Sequence, residues 1–190
     1  SDQIDSSPNL RTEIEMIREA VDRNLSVLGI CLGAQLLAKS LGGTVARNQT
    51  REIGWHDVEL TDAGSDDPVL STFERQQRVF QWHEDGISLP PGGIHLARSA
   101  ASDVQAFRYG ERAYGFQFHL EVDTSLIDRW LKVPANRPML EAERGRVDPE
   151  LIRMQVADNI AALEALSRQT FARWISGFGT LSRRRTLPSR

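Results

Sequence analysis

Cysteine occurs once in the 190 residues, at Cys31. A single thiol excludes an internal disulfide and suits a reducing compartment, the cytoplasm. No apolar stretch is long enough to span a bilayer, so no membrane segment is expected. A strong charge of one sign is also missing. The formal net charge of −3 argues against a nucleic-acid-binding protein. There is no internal repeat, low-complexity block, signal-peptide pattern or initiator methionine. His83, Glu84 and Asp85 lie together, but no residue elsewhere has the spacing to complete a metal site, so neither metal nor cofactor is expected. What the chain does have is 40% hydrophobic residues, enough for one core. The expected organisation is one domain over residues 1–176 and a flexible tail over 177–190, where Arg183, Arg184 and Arg185 read as a solvated end.

The chain is organised around residues 26–42. Ser26 to Ile30 is a short apolar run of strand type, and Ala34 to Leu41 is a strong helix former that stops at Gly42-Gly43. Between them lies Gly29-Ile30-Cys31-Leu32-Gly33, a glycine-x-nucleophile-x-glycine elbow with cysteine where many hydrolases carry serine. Gly29 and Gly33 let the backbone bend and let neighbouring chain come close. The elbow would set the sulfur at a helix N-terminus, where the helix dipole favours negative charge.

A lone cysteine is most often a small buried hydrophobe. The case for chemistry comes from far downstream. Ala113 to His119 alternates and is rich in aromatics, as a strand does, and Glu121 follows two residues later. Side chains two apart in extended chain point the same way, so Glu121 could orient His119 toward a nucleophile. Cysteine, histidine and glutamate then fill the roles of nucleophile, base and orienter.

The segments Val27–Gln35 and Gly115–Glu121 together resemble a class I, triad-type glutamine amidotransferase domain, and in particular its GMP-synthase-like, stand-alone members. The resemblance runs from about Glu13 to Trp130 and more weakly beyond. It implies an α/β fold with a doubly wound, mostly parallel sheet of flavodoxin-like, three-layer type. It also implies that Cys31, His119 and Glu121 are the catalytic triad. Substrate contacts would come from Gly29, Leu32, Gly33 and Gln35, and from His83 and Glu84 in a region that lines the glutamine pocket in the family. His83 and Glu84, with Asp85, would hold the α-amino and α-carboxylate ends of glutamine, directly or by ordering the backbone. In the family, further strands and a glycine-rich loop precede the first helix, so these 190 residues are expected to be an N-terminally incomplete version of the domain.

Along the rest of the chain, Leu10 to Arg23 carries Ile14, Ile17 and Val21 at helical spacing, with Asn9 or Thr12 as its cap. Thr44–Arg47 and Glu52–Leu60 read as two separate strands, and His56 as a half-exposed strand histidine. Val79–Asp85, Ile94–Arg98 and Val104–Tyr109 are further strands, the last forming a hairpin with the His119 strand through residues 110–112. Asp123 or Thr124 caps a short helix, and residues 132–146 read as irregular. Asp148-Pro149 opens a long helix whose face extends to Phe171, Trp174 and Ile175, with a bend before them.

By this resemblance, the chain would hydrolyse the glutamine side-chain amide through a cysteine thioester. The ammonia would go to a synthetase partner or a small-molecule acceptor. A non-catalytic binding or regulatory domain of the same fold, or a γ-glutamyl hydrolase, would carry the same motifs. No nucleic acid or membrane partner is expected, and the sequence leaves the oligomeric state open.

Overall fold

The structure, a computed structural model, describes residues 7–177. The expected tail from residue 178 on, with its three arginines, lies outside them. The chain opens with helix α1 (Pro8–Asp22). Ser7 is its N-cap and makes no side-chain capping bond. Proline supplies the helical φ at the first position, so the helix starts ahead of Asn9 and Thr12 and neither caps it. Thr12 instead donates from Oγ1 to the Pro8 carbonyl. Strand β1 (Val27–Ile30) leads through Cys31 into α2 (Leu32–Ser40). That helix ends as expected, with Gly42 at φ +86° and the Gly43 N–H returning 2.8 Å to the Ala38 carbonyl.

Next comes a long antiparallel hairpin of β2 (Val45–Leu60) and β3 (Gln76–Ile87), with the short helix α3 (Asp62–Ser65) in its connection. The two strands expected over residues 44–60 are one strand, whose register shifts between Arg47 and Glu52. Strands β4 (Gly93–Arg98), β5 (Ala106–Tyr109) and β6 (Ala113–Phe116) follow. They complete a six-stranded sheet in the order β1-β6-β5-β4-β2-β3.

The fold is α/β, but the parallel character is present only in part. Only β1 and β6 run parallel; every other pairing between these strands is antiparallel. The connections decide this. Residues 110–112 join β5 to β6 in a tight turn, with Gly110 at φ +57°, and such a turn can only return the chain antiparallel. Parallel neighbours need a long crossover, and β1 and β6 have α2, α3 and four strands between them.

Helices cover both faces of the sheet. Ala34, Leu37 and Ala38 of α2 pack with Phe107 and Ala113, and Ile17 and Val21 of α1 close that layer. On the opposite face, Ala106, Tyr114 and Phe116 join the larger core under α4 (Thr124–Lys132) and α6 (Pro149–Ser176), through Ile127, Leu131, Ile152, Val156 and Leu163. Alternation along β5 and β6 thus divides neighbours between two cores. Asp123 caps α4, accepting the Leu126 N–H at 2.7 Å, and Asp148 caps α6 in the same way. Residues 132–146, expected to be irregular, hold a 3₁₀ turn (Pro134–Asn136) and α5 (Arg137–Ala142). Helix α6 runs unbroken over its 28 residues, so Phe171, Trp174 and Ile175 need no bend to continue it. No helix among the described residues is long and apolar enough to cross a membrane.

Candidate active site

The parallel pair places the site. Ile30 lies opposite Phe116 at the ends of β1 and β6, so the residues after each strand emerge side by side at one sheet edge. Cys31 comes directly after β1, and its N–H donates to the Phe116 carbonyl at 2.8 Å. His119 follows β6 by three residues, and its own N–H is fixed at 2.8 Å to the Phe80 carbonyl of β3.

Cys31 is the N-cap of α2, with φ +50° and ψ −108°. For an L-residue with a side chain this lies outside the favourable regions and is strained. Half-buried, Cys31 sits at the start of the helix, where the first N–H groups, Leu32 among them, have no intrahelical partner. Gly29 makes the bend sterically feasible. A Cβ there would come within 2.4 Å of the Gly33 carbonyl oxygen, and backbone cannot easily give way. Gly33 differs, because a Cβ built on it meets nothing within 4 Å.

The His119 ring is buried, 6% exposed, and its Nδ1 is 2.6 Å from Glu121 Oε1. Trp130 meets the ring edge-on at 4.9 Å. Nε2 is buried without a hydrogen bond of normal geometry, and Cys31 is close enough to perturb the ring. Burial opposes the charged imidazole, but Cys31 and Glu121 outweigh it and push His119 up to about 9. The glutamate that would orient the base is itself open to solvent, its side chain 37% exposed.

Gln35 and Gln117 also reach the sulfur's surroundings. Gln35 Nε2 donates to Gln117 Oε1 at 3.3 Å, and Gln117 Nε2 lies 3.7 Å from Cys31 Sγ. The Trp82 carbonyl is 3.8 Å from Sγ on another side. Sequence reasoning misses Gln117, although its place two residues before His119 on extended chain sets it on the same side.

His83 and Glu84 are placed differently from the other candidates. The His83 side chain is 1% exposed and lies 3.1 Å from the carboxylate of Glu52, also buried, while its Nδ1 is 2.9 Å from the Asp85 carbonyl. Glu84 is held by Arg47 and by Arg51, the latter at 2.8 Å. Both side chains are thus engaged with protein partners. The Glu52–His83 pair has no local pattern to reveal it. A cleft of about 770 Å³, lined by Arg51, Glu52, Trp55 and Glu143, lies beside this pair and includes neither Cys31 nor His119.

Comparison with known proteins defines the class. Residues 5–131 match the family model for glutamine amidotransferase class-I. The chain belongs to the class-I glutamine amidotransferase family. It is 36% identical over 118 residues to the glutamine amidotransferase-like protein YfeJ of Salmonella typhimurium, covering 62% of this chain and 49% of that protein. It is 39% identical over 111 residues to a subunit of the glutamine-hydrolyzing GMP synthase of Pyrococcus abyssi, covering 57% of each. A glutamine amidotransferase crystal structure from Thermotoga maritima superposes with a TM-score of 0.80 at 35% identity, over 90% of this chain and 72% of that one. The chain thus spans about half the length of these two sequence relatives.

Proposed function

We propose that this domain hydrolyses the side-chain amide of glutamine and releases ammonia for an acceptor. The observation that carries this reading is the strained Cys31 elbow beside a buried His119 whose far nitrogen rests on Glu121. The Cys31 thiolate attacks the amide carbon and forms a C–S bond, and the carbonyl electron pair moves onto oxygen. The Leu32 N–H, directly after the nucleophile, stabilises that oxyanion. The His119 imidazolium protonates the departing nitrogen, the C–N bond breaks and ammonia leaves. Water then gives a proton to His119 and attacks the γ-glutamyl thioester. The C–S bond breaks, glutamate leaves and the Cys31 thiolate beside the His119 imidazolium is restored. Glu121 keeps the His119 ring oriented and supports its charged form. Gln35 contacts substrate through the part of its amide that Gln117 leaves free. His83 and Glu84 act by ordering the β3 backbone beside the sulfur. The free thiol fits a cytoplasmic setting. The Pyrococcus relative is one subunit of a GMP synthase, which supports a separate synthetase-type partner as the acceptor of ammonia.

Coupled assays of glutamate and ammonia release from glutamine test the reading. Equimolar release supports it. Preferential cleavage of γ-glutamyl peptides would make the protein a γ-glutamyl hydrolase instead.

The pH profile should have a defined alkaline limb. With His119 raised to about 9, the imidazolium persists below that value and is lost above it. Its proton is needed for ammonia departure, so turnover should fall about tenfold per pH unit above pH 9. Glu121→Gln removes a group that favours the charged ring and should move this limb to lower pH. Rates from pH 6 to 10.5 decide it, and a profile flat through pH 10 would contradict the role given to His119.

Gly33 is assigned to leaving room for substrate, because a side chain there meets no protein atom. Alanine is the better helix former by roughly 0.5–1 kcal/mol. Gly33→Ala should therefore raise the melting temperature slightly while raising KM for glutamine. A stabilised variant with unchanged KM would remove that assignment.

A further inference from the structure

We propose that Gln117 is a fourth catalytic group, an amide donor that holds the Cys31 sulfur in its ionised form, and that Gln35 is the positioning residue that fixes its orientation. The proposal rests on Cys31 being the nucleophile. The Gln117 side chain is fully buried, and its residue is 0% exposed. Gln35, itself 6% exposed, donates to Gln117 Oε1 at 3.3 Å. That bond occupies the oxygen of Gln117 and turns its NH₂ toward Sγ, 3.7 Å away. The backbone adds to this precision, since the Gln117 N–H is fixed at 2.8 Å to the Gln105 carbonyl.

The two neutral neighbours of the sulfur act in opposite senses. The Trp82 carbonyl, 3.8 Å from Sγ, can only accept a hydrogen bond, so it suits the protonated thiol. The Gln117 amide can donate, so it suits the thiolate. When the thiol ionises, its bond to Trp82 is lost and that carbonyl dipole becomes unfavourable. The Gln117 N–H then gains, because hydrogen bonds to charged groups are stronger than neutral ones. His119 supplies charge on a third side, and Gln117 supplies a fixed dipole that does not titrate. The same amide pair also joins the substrate-contacting Gln35 to the nucleophile through one shared bond.

Alkylation by iodoacetamide tests this without reference to glutamine turnover, and Cys31 is the only cysteine in the sequence. The rate is followed against pH in wild type, Gln117→Leu, Gln117→Glu, Gln35→Leu and His119→Ala. Gln117→Glu keeps the shape and the oxygen that Gln35 needs, but removes the donor. Both Gln117 variants should move the alkylation midpoint to higher pH by about one unit, roughly tenfold less thiolate at neutral pH. Gln35→Leu, which frees the amide to rotate, should move it the same way by less. In wild type, the Gln117 side-chain amide proton resonance should titrate with the alkylation midpoint, a readout that needs no variant to fold. An unshifted midpoint in folded Gln117 variants, or an amide resonance indifferent to pH, would overturn the proposal. His119→Ala separates the two levels. If it shifts the midpoint and Gln117 variants do not, only the role of Gln117 falls; if it also leaves the midpoint unmoved, the nucleophile reading falls with it.

Discussion

Replacing Cys31 with glycine should abolish glutamate release and raise the melting temperature in the same variant. Loss of the nucleophile leaves only binding and oxyanion contacts, so the rate should fall by at least about four orders of magnitude. The gain in stability comes from the backbone. At φ +50° and ψ −108°, Cys31 occupies a conformation that costs a side-chain-bearing residue roughly 1–3 kcal/mol and glycine almost nothing. Greater freedom in the unfolded chain returns about 0.5–1 kcal/mol of that. The net is about 1 kcal/mol, or roughly 3 °C for a domain of this size. Cys31→Ala is the control, because it removes the sulfur but keeps Cβ. It should be equally inactive and gain no such stability. Glutamate release and calorimetric melts on the three proteins check both halves. A glycine variant that melts below the alanine variant would show that the elbow is not strained, and glutamate release surviving in either would remove Cys31 as the nucleophile.

The elbow is legible in the sequence because its determinants are local. Gly29, Cys31, Leu32 and Gly33 lie within five residues, and close approach, sulfur and helix start follow from their order. His119 and Glu121 are legible for the same reason, as a two-residue repeat at the end of an aromatic strand. The β5–β6 hairpin is announced by its glycine-bearing turn. What the sequence does not show is pairing at a distance. The antiparallel character of most of the sheet depends on which strands meet, and β1 finds β6 across the four intervening strands of the chain. The bulge that makes β2 one strand instead of two is a register event against β3, with no signature in residues 48–51 themselves. Glu52 and His83 show the same limit most clearly. Glu52 reads as an ordinary strand residue and His83 as a contact for glutamine, and their pairing with each other appears only when β2 and β3 meet at that point.

That pair carries the second large effect. Glu52→Ala should destabilise the domain by about 1–3 kcal/mol, because it leaves the buried amide of Gln105 and the His83 ring without their acceptor. Glu52 is 3% exposed, and Gln105 donates to its Oε2 at 2.6 Å while His83 Nε2 lies 3.1 Å away. Both ring nitrogens of His83 face oxygen atoms, Nε2 the Glu52 carboxylate and Nδ1 the Asp85 carbonyl at 2.9 Å. Burial works against the Glu52 carboxylate, but the hydrogen bond and charge of His83 outweigh it and hold the carboxyl below its ordinary value. The stabilisation this brings is therefore present above the ordinary carboxylate range and is lost as pH falls through the lowered value. Glu52→Gln keeps the shape and loses the charge, so it should cost less than alanine, and its deficit against wild type should shrink on acidification. Trp82, which places a carbonyl 3.8 Å from the Cys31 sulfur, directly precedes His83. Loosening His83 should move that carbonyl, so Glu52→Gln should lower glutamine turnover even where the protein is fully folded. Urea melts at pH 7 and pH 4, with turnover measured well below the transition, separate the two effects. A folded Glu52→Gln protein with wild-type turnover would confine the buried pair to stability alone, and an equal deficit at both pH values would show that its charge contributes nothing.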